Sequence, residues 1–475
     1  MERCAKKNGY KHVLAISLPL VASMGSLTLM QFTDRMFLAN YSADAISAAL
    51  PAGIASFTAV AFFMCVANYV NACIAQYTGA CAFKRIGVSV WQGIYFSLMA
   101  ACFLALLYFV SGPLFNLIGH SPSIQRLEVS YFNILTLGAG LVVMASAMAC
   151  FYTGRGLTKT VMVVHAIGAA VNIPLDYCLI NGVGFFIELG IVGAALATVT
   201  ASAIIVGILS VLIFSPANRS RYGPWKGRAF DKELFGRLMH YGLPSGIQFF
   251  LEIFGITFFV QMVGRLGDLE LAASNIALSI ESLSFLPLVG FHISTATLVG
   301  QAVGRIRPGL GTYATMSALH ITMAYMMVVA VAFIVTPKPL LNLFKAQHIT
   351  AAQYTEIMDL GVILMRFVAV FCFFLCAEPC FFRGHQRRGR YQVYYVDHWC
   401  TFAGSDGYPN VCGSRGPSNW TVHDLGPGYL LYLRPGNCLY DALPSGEVEV
   451  HEGHRVSTDR SGKMLSSRGC RISEL

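Results

Sequence analysis

Charge is what this chain has least of. Of its 475 residues only 12% are Asp, Glu, Lys or Arg, against roughly 25% in soluble proteins, while 55% are hydrophobic. That deficit excludes an ordinary soluble domain. The sequence also lacks any paired CxxC; its fourteen cysteines are mostly scattered through apolar runs, where cysteine behaves as a small buried hydrophobe. Neither a disulfide framework nor a zinc site is implied. HEGH, His451 to His454, has the wrong spacing for HExxH, in which two histidines one helical turn apart hold zinc. No nucleophile and base face each other across neighbouring runs, so an intramembrane enzyme is not expected, and no cofactor is called for.

What is present is a succession of apolar runs. A helix needs about 20 apolar residues to cross the hydrocarbon core, and ten such runs lie near 13–38, 46–75, 88–112, 128–152, 159–181, 189–215, 242–264, 270–303, 312–335 and 354–374. The expected fold is an all-α polytopic membrane protein. The first run follows Arg3, Lys6, Lys7 and Lys11 like a secretory signal, but it is too long for one and more membrane follows, so it reads as a retained helix.

The formal net charge of +9 does not point to nucleic acid, because its distribution follows topology. With the N-terminus in the cytoplasm, the cytoplasmic segments hold Arg3 to Lys11, Lys84, Arg85, Arg155, Lys159, the basic residues from Arg219 to Arg237, Arg305 and Arg307. The opposite loops hold Arg126, Arg265, Lys338 and Lys345. This is the positive-inside asymmetry of a multi-pass inner (plasma) membrane protein.

Three landmarks recur 225 residues apart: Pro19 and Pro244, Gln76 and Gln301, Gly79 and Gly304. SLP in the first run returns as GLP in the seventh, and AQYTG ending the second returns as GQAVG ending the eighth. Six runs separate equivalent positions, an even number, so the halves share one orientation. Parallel repeats of this kind are a transporter architecture, with the substrate path between halves that rock against each other. The expected organisation is an N-lobe over residues 1–217, a basic cytoplasmic linker over 218–241 and a truncated C-lobe over 242–374.

From about residue 375 to 475 the character changes to a charged, aromatic, cysteine-dotted tail, typified by RGHQRRGRYQVYYVDHW. It stands where the second half should carry a counterpart of TGRGLTKTVMVVHAIG, Thr153 to Gly168, and then two more helices. Read one nucleotide out of register, the codons allowed from Gly384 onward can spell AIKGAGDTKFIMWTIG, which sets GAGDTK against GRGLTK and continues into an apolar helix. TFAGSDGYPNV can be read in the same register as LLRVAMAIPM, and AEPCFFRG as ALNLVFSGA. One register thus restores both the repeat and the hydropathy, so the tail reads as a frameshifted translation that begins near Leu375 or Cys376. Such a tail is expected to be disordered and non-helical, and its sequon at Asn419 and cysteines at Cys400, Cys412 and Cys438 need no functional reading.

MQFTDRMFLANYS, NIPLDYCLINGVGFFIELGIVGAALATV, GLPSGIQFFLEIFG and TATLVGQAVG, in that order, resemble the multidrug and toxic-compound extrusion (MATE) transporters. The likeness covers about residues 10–374, and the hidden GAGDTK resembles that family's loop after helix ten. The resemblance implies two parallel six-helix lobes, here reduced to ten helices plus the aberrant tail. It implies secondary multidrug efflux, the exchange of amphipathic, often cationic compounds for Na+ or H+, by what is expected to be a monomer whose partners are the drug and the bilayer. A flippase for lipid-linked oligosaccharides has a similar architecture but would display several basic residues in its cavity, for which Arg35 and Arg366 are few. The third alternative is an inactive truncated product.

Carboxylates inside a bilayer are the coupling candidates, because a central charge costs about 2.5–3.5 kcal/mol on insertion scales and a bound cation or proton relieves it. Asp34, in the second half of helix one, matches a cation-linked Asp of the family, although its neighbour Arg35 offers a plain ion pair instead. Asn172 and Asp176 are spaced i, i+4 and share one face of helix five; they could coordinate an ion with Asp34 or form a satisfied polar pair. Thr198 in helix six matches a polar position of the family, while a lone Thr usually bonds its own backbone. Glu252 sits mid-helix among Phe249, Phe250, Leu251 and Phe254. The resemblance implies that it couples Na+ together with an Asp in helix ten, which is missing here. Glu281, Met262, Phe285 and Phe291 are candidates to line the drug cavity, though aromatics and methionines at helical spacing more often serve packing.

Overall fold

The computed structural model describes residues 9–118, 121–184, 186–264, 268–342 and 351–375, with two short segments at 392–394 and 430–432. Fourteen α-helices run in order: α1 Tyr10–Tyr41, α2 Ala43–Asn68, α3 Val70–Gly79, α4 Phe83–Leu106, α5 Ser111–Ile118, α6 Pro122–Thr153, α7 Thr158–Asn181, α8 Ile191–Ile213, α9 Pro216–Tyr222, α10 Lys232–Gly264, α11 Asp268–Gly304, α12 Pro308–Val335, α13 Pro337–Asn342 and α14 Ala351–Leu375. All belong to one compact unit. β1, Gln392–Tyr394, pairs with β2, Leu430–Tyr432. The rest of the tail, and with it the expectation of disorder, lies outside the described residues.

Among the described residues, eight helical spans are long and apolar enough to cross a membrane. They coincide with the first six expected runs and with the eighth and ninth. The runs at 242–264 and 354–374 fall on α10 and α14, helices of 33 and 25 residues, which are not among the eight. The second run, expected as one helix, is broken at Tyr69 into α2 and α3, which together form a single span from Asp44 to Gly79. Prolines sit inside α1, α2, α7, α10 and α11 at Pro19, Pro51, Pro174, Pro244 and Pro287. Membrane helices tolerate this because neighbouring helices re-satisfy the freed backbone groups.

Helices in lipid gain little from hydrophobic burial against one another, so small residues that allow close packing decide which pairs meet. In the N-lobe α6 is central and packs on α2, α4 and α8, while α1 packs along α7. Gly140 of α6 shows why: a Cβ there would lie 2.3 Å from the Ala101 Cβ of α4. Phe96, Met148, Phe151 and Leu209 fill this seam, and Leu38, Phe115, Phe132 and Ile180 fill the far end of the lobe. The NGVG sequence ends α7 with Gly182 in the left-handed region, φ 67°, a conformation that favours glycine.

The C-lobe is built from α10, α11, α12 and α14, with Leu288, Met326, Phe333 and Met365 at its centre. The two lobes meet in crossed pairs: α1 on α11, and α2 on α10. The repeat extends to a detail: the short helix after the third span, α5 from Ser111, returns as α13 from Pro337. Counterparts of α7 and α8 are not found among the described residues.

The basic linker is attached to the N-lobe. Trp91 of α4 donates to the Pro224 carbonyl at 2.6 Å, Gln92 to that of Ala229 at 3.3 Å, and Tyr95 to that of Arg228. The linker, expected to reach residue 241, ends at Asp231 because α10 already begins at Lys232; Asp231 accepts from Arg85 at 2.8 Å through one carboxylate oxygen and from the Leu234 N–H at 3.0 Å through the other, capping α10. Arg155, in the turn after α6, stacks over Phe151 and over Tyr222 of α9, 3.9 and 4.5 Å from the ring centres.

Candidate functional site in the N-lobe

α1 and α7 lie side by side and bring three of the expected residues into one place. Asp34 is 7% exposed, and Asn172 and Asp176 are fully buried. Asp34 and Asp176 are close enough to interact electrostatically. The i, i+4 spacing puts Asn172 and Asp176 on the same side of α7, as the sequence requires.

The hydrogen bonding of the cluster is incomplete. Tyr131 of α6 donates its hydroxyl to one oxygen of Asp34 at 3.2 Å. The second Asp34 oxygen, both carboxylate oxygens of Asp176 and both side-chain polar atoms of Asn172 have no hydrogen-bond partner among the described residues. Buried polar groups are overwhelmingly paired in proteins, and each exception requires a physical reason. Here Asn172 and Asp176 do not form the satisfied interhelical pair that was the plain alternative. Nor does Asp34 form an ion pair with Arg35 among the described residues: Arg35 is exposed on α1, and the hydrogen bond of Asp34 goes to Tyr131. Two nearby buried carboxylates with unpartnered oxygens are suited to a small cation or to protons.

Tyr131 is the member that the sequence does not announce. It stands 97 residues from Asp34, and a tyrosine at helical spacing looks like any packing aromatic. Replacing it with phenylalanine removes the one bond Asp34 makes, at an expected cost of about 1–3 kcal/mol for a buried group left unpaired. Purified Tyr131→Phe should melt measurably below the parent chain; an unchanged melting midpoint would show that the bond carries nothing.

The other candidates are placed differently. Thr198 is half-buried on α8, and its carbonyl accepts from the Ser202 hydroxyl at 2.9 Å. Its own hydroxyl makes no bond back to the helix among the described residues. Glu252 of α10 is half-buried and within electrostatic reach of Glu281 on α11 and of Cys65 on α2. The sequence reading does not pair the two glutamates, because nothing in their spacing shows that α10 and α11 turn these faces together. Among the described residues no group of three or more His, Cys, Asp and Glu could hold a metal, so any cation in the N-lobe relies on amide and hydroxyl oxygens as well as two carboxylates. Phe291 is 6% exposed and belongs to the apolar seam between the lobes with Val13, Ile16 and Leu298. Phe285 packs on the C-lobe core beside Met326. Both aromatics have packing partners in these seams, while Met262 is 38% exposed on α10.

The repeat matches one known family. The MatE family model matches residues 19–178 and again 244–391, starting each time on one of the paired prolines, 225 residues apart. The chain belongs to the MatE family. The second MatE match continues past Leu375 into the segment read as frameshifted. Probable multidrug resistance protein NorM of Thermotoga maritima is 24% identical over 373 residues, 78% of this chain and 78% of its own. Multidrug resistance protein NorM of Burkholderia vietnamiensis is 25% identical over 362 residues, 75% and 76% of the two chains. Among solved structures, an outward-facing multidrug resistance MATE family transporter of the MOP superfamily superposes with a TM-score of 0.70 at 20% identity, covering 78% of this chain and 81% of its own. A eukaryotic MATE transporter superposes with a TM-score of 0.69 at 20% identity and the same coverage. These superpositions establish that the MatE fold is present from the N-lobe into the C-lobe.

Proposed function

We propose that this MatE chain is built as a secondary antiporter that expels amphipathic, often cationic compounds from the cell in exchange for Na+ or H+, with its N-terminus in the cytoplasm. The observation that supports the reading most strongly is the cluster of Asp34, Tyr131, Asn172 and Asp176, with five side-chain polar atoms unpartnered among the described residues. Two buried carboxylates that repel each other are relieved when a cation or proton arrives, and that relief is the free energy a coupling site can pass on to the lobes. Antiport follows if the ion and the drug favour opposite arrangements of the lobes, because a ligand shifts a conformational equilibrium only by its differential affinity. Glu252, near Glu281, is assigned a second coupling role in the C-lobe, and Thr198 a place on the wall of the N-lobe site.

The test is export of a fluorescent organic cation from cells that carry the frame-restored, twelve-helix form. Imposed Na+ and H+ gradients, applied separately, identify the coupling ion by which of them drives export. Glu252→Gln should lower the rate at least about tenfold, the factor corresponding to about 1.4 kcal/mol of lost coupling. A rate equal to that of the parent would remove Glu252 from the mechanism.

The chain as it stands carries a second reading. With four long helices in the C-lobe, α10, α11, α12 and α14, against six spans in the N-lobe among the described residues, we infer that it is the product of a shifted reading frame and does not transport.

A further inference from the structure

The repeat of 225 residues reappears in the packing between the lobes, at the end of the bundle that bears the linker. The last turn of α3 crosses the last turn of α11, and each closest approach has a twin one repeat away. A Cβ on Gly79 would lie 2.2 Å from the Gln301 carbonyl oxygen, and a Cβ on Gly304 would lie 2.0 Å from that of Gln76. Gln76 and Gln301 are repeat mates, and so are Gly79 and Gly304, so these are one contact with the lobes exchanged. Between them Gly300 faces Ala75, its own repeat mate, whose Cβ would lie 2.7 Å from a Cβ on Gly300. A residue meeting its own equivalent marks the local twofold axis of a self-complementary interface.

The chemistry of this joint suits opening as well as closing. Backbone touches backbone at the glycines, with no side chain threaded between the helices. Small-residue crossings bring helices close through van der Waals contact, and such a joint can part as two rigid bodies. Asn71, one turn earlier in α3, supplies polar contact: its amide nitrogen donates to Thr297 of α11 at 3.1 Å, while its oxygen accepts from Thr153 of α6 at 2.7 Å.

One pair breaks the symmetry. The Gln301 side chain donates to the Gly154 carbonyl at 3.0 Å, hooking the C-lobe onto the turn after α6. Gln76, its twin, makes no side-chain hydrogen bond among the described residues. The repeat places the target of Gln76 in the loop after α14, which lies outside the described residues.

We propose that the crossing of α3 and α11 is the latch that shuts the lobes at the linker end, with Gln301 as the glutamine hook engaged among the described residues. The proposal deepens the transport reading, since alternation requires a joint that opens, but its test measures no transport. Hydrogen–deuterium exchange is followed by mass spectrometry on the full chain in lipid nanodiscs, in the segments 72–80 and 297–305. Gly79→Ala and Gly304→Ala force the helices apart, and each is expected to speed exchange at least about tenfold in both segments, including the one in the lobe left unchanged. Gly25→Ala, which meets nothing within 4 Å, should change neither. Gln301→Ala should speed exchange about threefold, as the loss of one hydrogen bond does, and Gln76→Ala should have no effect. Acceleration confined to the altered helix, or equal responses to Gln76→Ala and Gln301→Ala, would overturn the latch. If a glycine variant fails to fold, the glutamine pair decides alone. A frame-restored chain that latches but exports nothing would count against the antiporter and leave this result standing.

Discussion

Cells that express the chain as it stands are expected to retain a fluorescent organic cation as fully as cells without it, whereas cells that express the frame-restored form export it. Among the described residues the C-lobe lacks counterparts of α7 and α8. In the N-lobe α7 and α8 close the bundle: α7 lies along α1 and carries the polar cluster, and α8 backs α6. The C-lobe has helices equivalent to the first four spans, through α14, and the sequence after Leu375 has no apolar run long enough to cross. Without two closing helices, the faces of α10 and α14 that answer to those of α1 and α6 meet lipid where they should meet protein, and hydrocarbon offers no partner to a polar group. Sequencing the genomic DNA across codons 365–400 tests the cause directly, over an interval that contains both Leu375 and residue 391, where the second family match ends. One nucleotide fewer would give a complete transporter. The same nucleotides confirmed would make this a decaying gene, and export by its product as fast as by the restored form would sink the truncation argument altogether.

The second large effect concerns the N-lobe cluster. In the frame-restored chain, Asp34→Asn and Asp176→Asn are each expected to lower export by at least about 100-fold, since even losing an outer-shell partner costs a bound metal ion about 10–100-fold in affinity. Asparagine keeps the volume, and at position 34 it can still accept from Tyr131. What it loses is the charge. Both variants should therefore melt like the parent while failing to export, which separates the coupling role from a structural one. Export at the parent rate by either variant would remove that carboxylate from the site.

The helices are legible in the sequence because apolar length is nearly a complete specification in lipid. The repeat is legible because Pro19, Gln76 and Gly79 return at one spacing. Asp34, Asn172 and Asp176 stand out because a charge or amide inside a membrane segment is costly enough to require a reason. Tyr131 is not legible, since the partner of its hydroxyl is fixed by how α1 and α6 turn toward each other. The same blindness covers Glu252 and Glu281, which tertiary packing brings together. Phe285 and Phe291 are ambiguous in the sequence for a related reason: an aromatic stripe on a membrane helix looks the same whether it faces a cavity or another helix. The break at Tyr69 was hidden for a different reason, because hydropathy runs unchanged through a place where only the backbone turns.

Asp231 gives the molecule its mechanical character. The connection between the lobes is long in sequence, yet most of it is tied down along α4, and the free part shrinks almost to one residue. There a single carboxylate serves both sides, one oxygen held by Arg85 and the other holding the first turn of α10. Such a connection behaves as a pin and not as a rope. In the rocking proposed for transport, it would let the second lobe swing and twist about a fixed point while denying it translation away from the first, so the path of the swing would be set at the pin.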